Sequence, residues 1–191
     1  MGQSTSGDKL RILVLEDYAF IACQLADELR LLGQEVLGPF CSLEEVYLNE
    51  APFDAALMDI GIEKEVSFDL ASSLRRRGVP VVFYSGMEKH RLPLDLNKVP
   101  WHPKPSPTSA LLDSLWAEHR RLTARADIVA MLPDLRRYAF EHVGQRAVAD
   151  ALVGQVLEEA IEKARRGCDF DPQKWLGTRL AVACRDWRDH H

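Results

Sequence analysis

Short apolar runs alternate with segments of helical periodicity over residues 10–125. Residues 10–15 read LRILVL, a nearly all-apolar run that is typical of a strand buried on both faces of a parallel sheet. Over residues 18–32 apolar side chains recur at helical spacing, and Gly33 then suits the end of a helix. The alternation predicts an α/β fold with a doubly wound parallel sheet and right-handed crossovers. The same pattern predicts further strands near 35–38, 54–58 and 80–84, and helices near 42–49 and 68–77.

Prolines interrupt the next segment, residues 88–105, at positions 93, 100, 103 and 105. Proline removes a backbone donor and fixes φ, so little room remains for a full helix and a long central strand. We therefore expect a short or missing fourth helix and a fifth strand of only a few residues. Helical periodicity resumes over about 107–125, where Pro107 and Thr108 can start the helix.

Beyond residue 126 the apolar period stays helical and no strand pattern occurs. We predict three helices, near 127–142, 145–166 and 172–188. Gly144 separates the first two, and Asp171 can cap the third with Pro172 at its first position. The predicted organisation is a flexible leader at 1–9, a five-stranded α/β domain at 10–125 and a small all-α domain at 127–189.

Composition indicates a soluble globular protein. Of the 191 residues 47% are hydrophobic and 28% charged, and no apolar run is long enough to cross a bilayer. The first residues lack the basic and apolar segments of a signal peptide. Four scattered cysteines show no CxxC spacing, so neither a disulfide framework nor a zinc site is expected. These features favour a cytoplasmic protein with no membrane partner.

Charge argues against a strongly basic nucleic-acid-binding surface. Residues 1–126 carry 14 basic and 18 acidic side chains, and residues 127–191 carry 10 and 11. Neither part has the excess of positive charge that is typical of a DNA-binding domain. DNA is therefore an unlikely partner.

Polar residues follow the predicted strands in an order that suits phosphoryl chemistry. Glu16 and Asp17 follow the first strand, Asp59 the third and Ser85 the fourth, and Lys104 lies in the proline-rich segment. Any of these alone is an ordinary turn or surface residue, but strands of one parallel sheet end in a common crevice. Carboxylates there suit Mg²⁺, while a hydroxyl and an ammonium suit phosphoryl oxygens.

In this pattern residues 10–118 resemble the receiver domain of bacterial two-component response regulators. The resemblance implies that Asp59 accepts a phosphoryl group from a histidine kinase or a phosphotransfer protein. It implies that Ser85 and Lys104 contact the phosphoryl oxygens, and that Trp101 follows the hydroxyl inward as a switch residue. The implied ligands of Mg²⁺ are Glu16, Asp17, Asp59 and the backbone carbonyl of Gly61.

One segment departs from the common receiver pattern. The proline usually found shortly after the phosphoacceptor is absent, and Glu63-Lys64-Glu65 stands within residues 60–67, which predicts a mobile loop. With residues 79–86 and the proline-rich Lys104 segment, the domain looks like the atypical receivers of alphaproteobacterial stress signalling. Those receivers often have a reduced fourth helix.

The C-terminal helices carry a second resemblance. Residues 132–139 and 149–157 look like the first helices of the core-polymerase-binding region of extracytoplasmic-function sigma factors, and residues 170–176 and 185–188 resemble its closing helix. The connection after Arg166 is only about five residues long, too short for the loop that captures a promoter base, and no second helix-turn-helix follows. The resemblance therefore implies a decoy that binds an anti-sigma factor, as in general stress regulators, although there the sigma-like domain comes first.

Other functions stay open at this point. The helices could form a DNA-binding output if their basic residues shared one face, namely Arg136, Arg137, Arg165, Arg166, Lys174 and Arg179. The third alternative is a phosphate-sink or dimerisation module whose helices only pair chains in a homodimer. We expect His119 and His142 to be ordinary surface histidines on helices and not the phosphoacceptors of a phosphotransfer helix. We expect no enzyme activity apart from slow self-phosphorylation and dephosphorylation.

Overall fold

The computed structural model describes residues 9–88, 92–166 and 170–190. Residues 1–8, which make up most of the predicted leader, and Cys168 lie outside these ranges. The chain divides into two compact units between Leu122 and Thr123.

The first unit is built on five parallel strands in the spatial order β2-β1-β3-β6-β7. Its elements are β1 (Arg11–Leu15), α1 (Ala19–Leu31), β2 (Glu35–Phe40), α2 (Leu43–Tyr47), β3 (Ala55–Met58), β4 (Gly61–Ile62), β5 (Glu65–Val66), α3 (Phe68–Arg76), β6 (Val81–Ser85), β7 (Trp101–Pro103) and the start of α4 (Thr108–Val143). The order is that of a doubly wound sheet, which confirms the predicted fold class.

Both faces of the sheet are covered by apolar side chains. Along β1, Leu13 and Leu15 pack in one buried cluster, while Ile12 and Val14 pack in another. Side chains of a strand alternate between the two faces, so a central strand must be apolar throughout. This requirement is why the run at 10–15 could be assigned from its composition.

The described part of the proline-rich segment has little regular structure, as predicted. Described residues 92–99 form bends and turns, and β7 has only the three residues Trp101–Pro103. Parallel pairing of Ser85 with Pro103 completes the edge of the sheet.

One local prediction was wrong, and one segment has more regular structure than expected. The helices expected at 107–125 and 127–142 form one continuous helix, α4, of 36 residues. No glycine or proline lies between residues 108 and 132, so nothing in the backbone chemistry ends the helix near 126. Residues 60–67, expected to form a mobile loop, include an antiparallel hairpin in which Gly61 pairs with Val66 and Ile62 with Glu65, while their mobility stays a prediction.

The second unit consists of the C-terminal part of α4 with α5 (Arg146–Arg165) and α6 (Pro172–His190). Gly144 ends α4 with a φ of 74°, a conformation that glycine adopts at no steric cost. Asp171 Oδ1 accepts from the backbone N–H groups of Gln173 at 2.9 Å and Lys174 at 3.2 Å, so it caps α6 as predicted. The helices share one core, which includes Leu135, Ala139, Val153, Val156, Leu176 and Leu180.

Among the described residues no helix is both long enough and apolar enough to cross a membrane.

Candidate functional site

Strand register brings three acidic residues together at the carboxyl edge of the sheet. Leu15 of β1 pairs with Met58 of β3, so Glu16 and Asp59, which follow directly, leave the sheet side by side. One carboxylate oxygen from each of Glu16, Asp17 and Asp59 lies within 4.8 Å of the others. Hard carboxylate oxygens at this spacing are the donor set that Mg²⁺ prefers.

Lys104 reaches the same place from the end of β7, the edge strand of the sheet. Its backbone N–H donates to Ser85 O at 3.2 Å, which continues the β6–β7 pairing by one residue. Its Nζ donates to Asp59 Oδ2 at 2.5 Å and also contacts Glu16 Oε2. The ammonium further lies 5.4 Å from the centre of the Tyr84 ring. The structure therefore joins Lys104 to two of the three predicted acidic residues.

In the acidic cluster, which consists of Glu16, Asp17 and Asp59, burial and the neighbouring charge of Lys104 shift the pKa of Glu16 in opposite directions. Glu16 is only 1% exposed, and this burial raises the pKa of its carboxyl, against the lowering effect of Lys104. Burial alone would lower the pKa of Lys104, but its hydrogen bonds and attraction to Asp59 and Glu16 prevail and raise it. Three formal negative charges against one positive charge leave an excess that a divalent cation would balance.

The backbone around Asp59 holds its carboxylate in place. Asp59 Oδ1 accepts from the N–H of Ile60 at 2.6 Å and of Gly61 at 3.3 Å, while Oδ2 accepts from Lys104. Ser67, which is fully buried, donates its hydroxyl to Asp59 O at 2.7 Å. The predicted role of the Gly61 carbonyl as a metal ligand stays a prediction.

Ser85 and Trp101 meet through a shared neighbour. The Ser85 side chain is 2% exposed, and its Oγ accepts from the N–H of Met87 at 3.2 Å. The indole Nε1 of Trp101 donates to the carbonyl of Met87 at 3.1 Å. The hydroxyl and the aromatic residue are thus linked through the backbone of Met87.

The hairpin β4–β5 adds a contact that the sequence analysis missed. The backbone N–H of Glu63, at the hairpin tip, donates to Asp17 Oδ2 at 2.7 Å. A backbone donor leaves no trace in residue type, so no sequence signal identified it. Ser67 was missed too, because a serine before a helix is usually a simple N-cap.

The two histidines make structural contacts. His119 packs edge-on against Trp116, with ring centroids 5.7 Å apart. His142 stacks on Tyr138 at 4.1 Å, and its Nδ1 lies 2.8 Å from the Tyr138 carbonyl. These packing contacts are compatible with the predicted ordinary histidines on a helix surface.

Several basic residues of the second unit are paired with carboxylates. The pairs are Arg136 with Asp150, Arg137 with Asp134, Arg166 with Glu162 and Arg179 with Glu159, at 2.6–3.1 Å. Such pairing reduces the positive potential that a DNA-binding face requires.

Comparison with known proteins gives two groups of similarities. Residues 128–176 match the family model described as the sigma2 domain of PhyR. A comparison with curated proteins gives no match.

Among solved structures, the chain is similar to SdrG from Sphingomonas melonis Fr1, with 26% identity, a TM-score of 0.50 and coverage of 58% of this chain and 96% of SdrG. It is also similar to the response regulator protein TrrA from Thermotoga maritima in complex with Mg²⁺-BeF, with 20% identity, a TM-score of 0.50 and coverage of 58% and 99%. The chain spans half the length of the response regulator DrrB from Thermotoga maritima, with 17% identity, 56% of this chain covered and a TM-score of 0.48.

These similarities agree with the resemblances drawn from sequence. The chain combines the receiver fold with a C-terminal segment that matches the sigma2 domain of PhyR.

Proposed function

We propose that this protein is a response regulator of a phosphorelay, in which Asp59 accepts a phosphoryl group from a histidine kinase or a phosphotransfer protein. The observation that carries the proposal is the convergence of Glu16, Asp17, Asp59 and Lys104 at one edge of the sheet. The receiver fold supports it, and TrrA, which shares that fold, was solved with Mg²⁺-BeF.

The residues divide the chemistry among them. Asp59 Oδ2 is the attacking oxygen: its bond to phosphorus forms as the phosphorus–nitrogen bond of the donor's phosphohistidine breaks, and the imidazole leaves with that electron pair. Oδ1 is held by the Ile60 and Gly61 amides, which orient the carboxylate. Glu16, Asp17 and Asp59 are the residues that would hold Mg²⁺, with the Gly61 carbonyl as a further ligand. The cation would neutralise charge that builds up on the transferring phosphoryl group.

Lys104 has a different role after transfer. Its ammonium bridges Asp59 and Glu16 in the unphosphorylated protein. With a phosphoryl group on Asp59, the ammonium pairs with the phosphoryl oxygens instead. The hydroxyl of Ser85 moves to a phosphoryl oxygen and gives up its bond to Met87, and Trp101, bonded to the same residue, moves with it.

We further propose that the phosphorylated receiver, residues 10–125, controls a sigma-like domain, residues 127–189, that binds an anti-sigma factor. The match of residues 128–176 to a sigma2 domain supports this role. A groove between α4 and α6 offers an apolar floor with charged residues along it, and it is lined by Met131, Asp134, Leu135, Arg137, Tyr138, Glu141, Gly177 and Leu180. An amphipathic partner helix needs a surface of this kind. Slow self-phosphorylation and dephosphorylation would be the protein's only catalysis.

The test uses beryllofluoride, a stable mimic of the phosphoryl group. Amide NMR spectra of the full chain are recorded with Mg²⁺ alone, beryllofluoride alone and both together, for wild type and Asp59→Asn. Shifts around Ser85, Met87 and Trp101 that need both additions and Asp59 support the proposal. Equal shifts in Asp59→Asn, or none in wild type, contradict it.

A further inference from the structure

The hairpin tip touches the acidic cluster through a main-chain group. Glu63 N–H donates to Asp17 Oδ2 at 2.7 Å across 46 residues of sequence. The Glu63 side chain is exposed, so the contact depends on the position of the backbone and not on the glutamate group.

The conformation of Glu63 is unusual for its residue type. Its φ is 54°, in the left-handed region that favours glycine and asparagine. A non-glycine residue keeps such a conformation where surrounding contacts compensate for the strain. The hydrogen bond to Asp17 is such a contact.

The base of the hairpin is anchored separately from its tip. Ile62 is 2% exposed and packs in the core beside Ile60. Ser67 closes the segment by donating its N–H to Ile60 O at 2.9 Å and its hydroxyl to Asp59 O. The exposed tip at Glu63 and Lys64 is therefore the part that the bond to Asp17 holds.

The two oxygens of the Asp17 carboxylate have different roles in this geometry. Asp17 Oδ2 takes the hydrogen bond from Glu63, which fixes the plane of the carboxylate and leaves Oδ1 available as a ligand. Donors of this kind orient metal ligands, and their loss typically lowers metal affinity.

We infer that the Glu63 N–H is a positioning group for Asp17, and that Mg²⁺ binding and closure of the hairpin tip onto the acidic cluster reinforce each other. The inference rests on the proposed function, because it requires Mg²⁺ at Glu16, Asp17 and Asp59. By linkage, the factor by which closure of the hairpin tip raises the affinity for Mg²⁺ equals the factor by which bound Mg²⁺ raises the equilibrium constant for closure.

Two variants separate closure of the hairpin tip from the glutamate side chain. Glu63→Pro removes the N–H and cannot adopt a φ of 54°, so it opens the tip, whereas Glu63→Gly removes the same side chain, keeps the N–H and adopts the positive φ without strain. Mg²⁺ affinity is measured by calorimetry on the full-length chain, with circular dichroism to check folding. We expect Glu63→Pro to weaken Mg²⁺ binding about tenfold and Glu63→Gly to stay within about threefold of wild type.

Hydrogen exchange of the Glu63 amide in wild type gives a second readout that needs no variant. We expect saturating Mg²⁺ to slow this exchange about tenfold, in line with the reciprocal coupling. If Glu63→Pro does not fold, this measurement decides alone.

The outcomes separate this inference from the proposed function. If Mg²⁺ binds the wild-type protein but leaves the hydrogen exchange of the Glu63 amide unchanged or faster, the inference is overturned. It is also overturned if the folded Glu63→Pro and Glu63→Gly variants bind Mg²⁺ with equal affinity. If the wild-type protein binds no Mg²⁺, the metal site of the proposed function is excluded, and this inference is excluded with it.

Discussion

Lys104 Nζ lies 2.5 Å from Asp59 Oδ2, although 45 residues separate them in sequence. The same ammonium contacts the buried carboxylate of Glu16. Lys104 thus provides a positive charge that compensates two carboxylates. Mg²⁺ bound at the proposed site would take over part of this compensation, so we expect the loss of Lys104 to matter most when Mg²⁺ is absent.

Replacing Lys104 with methionine tests this dependence. The variant leaves Glu16 buried without its partner, and we expect it to lower the free energy of unfolding by about 3 kcal/mol without Mg²⁺. Mg²⁺ should restore more stability to the variant than it adds to wild type. Urea unfolding with and without Mg²⁺ measures both effects.

Lys9→Met is the matched control, because Lys9 pairs with Glu35 at 3.0 Å and both side chains are 53% exposed. Its removal should change the unfolding free energy by less than about 1 kcal/mol. Equal losses in the two variants would show that Lys104 acts as an ordinary surface charge.

Trp101 should report phosphorylation. Its indole N–H donates to the Met87 carbonyl, and the Met87 N–H donates to Ser85 Oγ. We therefore expect a movement of the Ser85 hydroxyl away from Met87 to change the surroundings of the indole. The chain has four tryptophans, and fluorine NMR of fluorotryptophan-labelled protein resolves them. We expect Mg²⁺ and beryllofluoride together to shift the Trp101 signal most.

Trp101→Phe assigns that signal and removes the donor while keeping an aromatic ring. Beryllofluoride should still bind this variant. A Trp101 signal that stays in place while beryllofluoride is bound would exclude the switch role.

Gly177 allows the proposed partner groove to be tested without losing the fold. It lies in α6 along the groove, and an added Cβ would meet nothing within 4 Å. Gly177→Ala should therefore stabilise the protein by about 0.5–1 kcal/mol, because alanine favours the helix. A partner helix seated in the groove would meet the new methyl, so binding of a purified anti-sigma factor should weaken about tenfold.

Gly154→Ala is the control for that experiment. Gly154 lies in α5, has equal space for a Cβ and does not line the groove. It should raise stability in the same way and leave partner affinity unchanged. Equal affinities in both alanine variants would move the partner site away from the groove.

The pair of Arg179 and Glu159 should make the second unit sensitive to acid. Arg179 donates to both carboxylate oxygens of Glu159, and this lowers the pKa of Glu159 below its ordinary value of 4.5. Stability from a lowered carboxyl pKa is present above the ordinary value and is lost as pH falls through the lowered one. Because both side chains are about a third exposed, we expect Glu159→Gln to cost only about 0.5 kcal/mol at neutral pH.

Calorimetric unfolding of wild type and Glu159→Gln across acidic pH measures this effect, and the difference between them should vanish at low pH. Asp134→Asn is the control, since its pair with Arg137 is 70% and 68% exposed. A Glu159→Gln cost that persists unchanged in acid would contradict the assignment to the ion pair.

The sequence predicted the sheet and the acidic cluster because both depend on residue type. An all-apolar run such as residues 10–15 has few alternatives to a buried strand, and residues that follow parallel strands must meet at one edge. Glu16, Asp17 and Asp59 could therefore be placed together from the strand pattern, whereas Lys104 was assigned to them only through the resemblance to receiver domains.

Other features were missed because they depend on backbone geometry. The hairpin tip at Glu63 has no glycine or asparagine to mark its positive φ, and its donor to Asp17 is a main-chain N–H. The continuity of α4 through residue 126 was missed for a different reason: the sequence has no glycine or proline between residues 108 and 132, and this absence of a stop signal was not used.

Intact mass is the most direct test of Asp59 as the phosphoacceptor. The full-length chain is incubated with an acyl phosphate and Mg²⁺, with Asp59→Ala and a metal-free sample in parallel. The account predicts a gain of one phosphoryl group in wild type with Mg²⁺ and none in the other two samples. No gain in a folded, Mg²⁺-bound wild type, or an equal gain in Asp59→Ala, would contradict it.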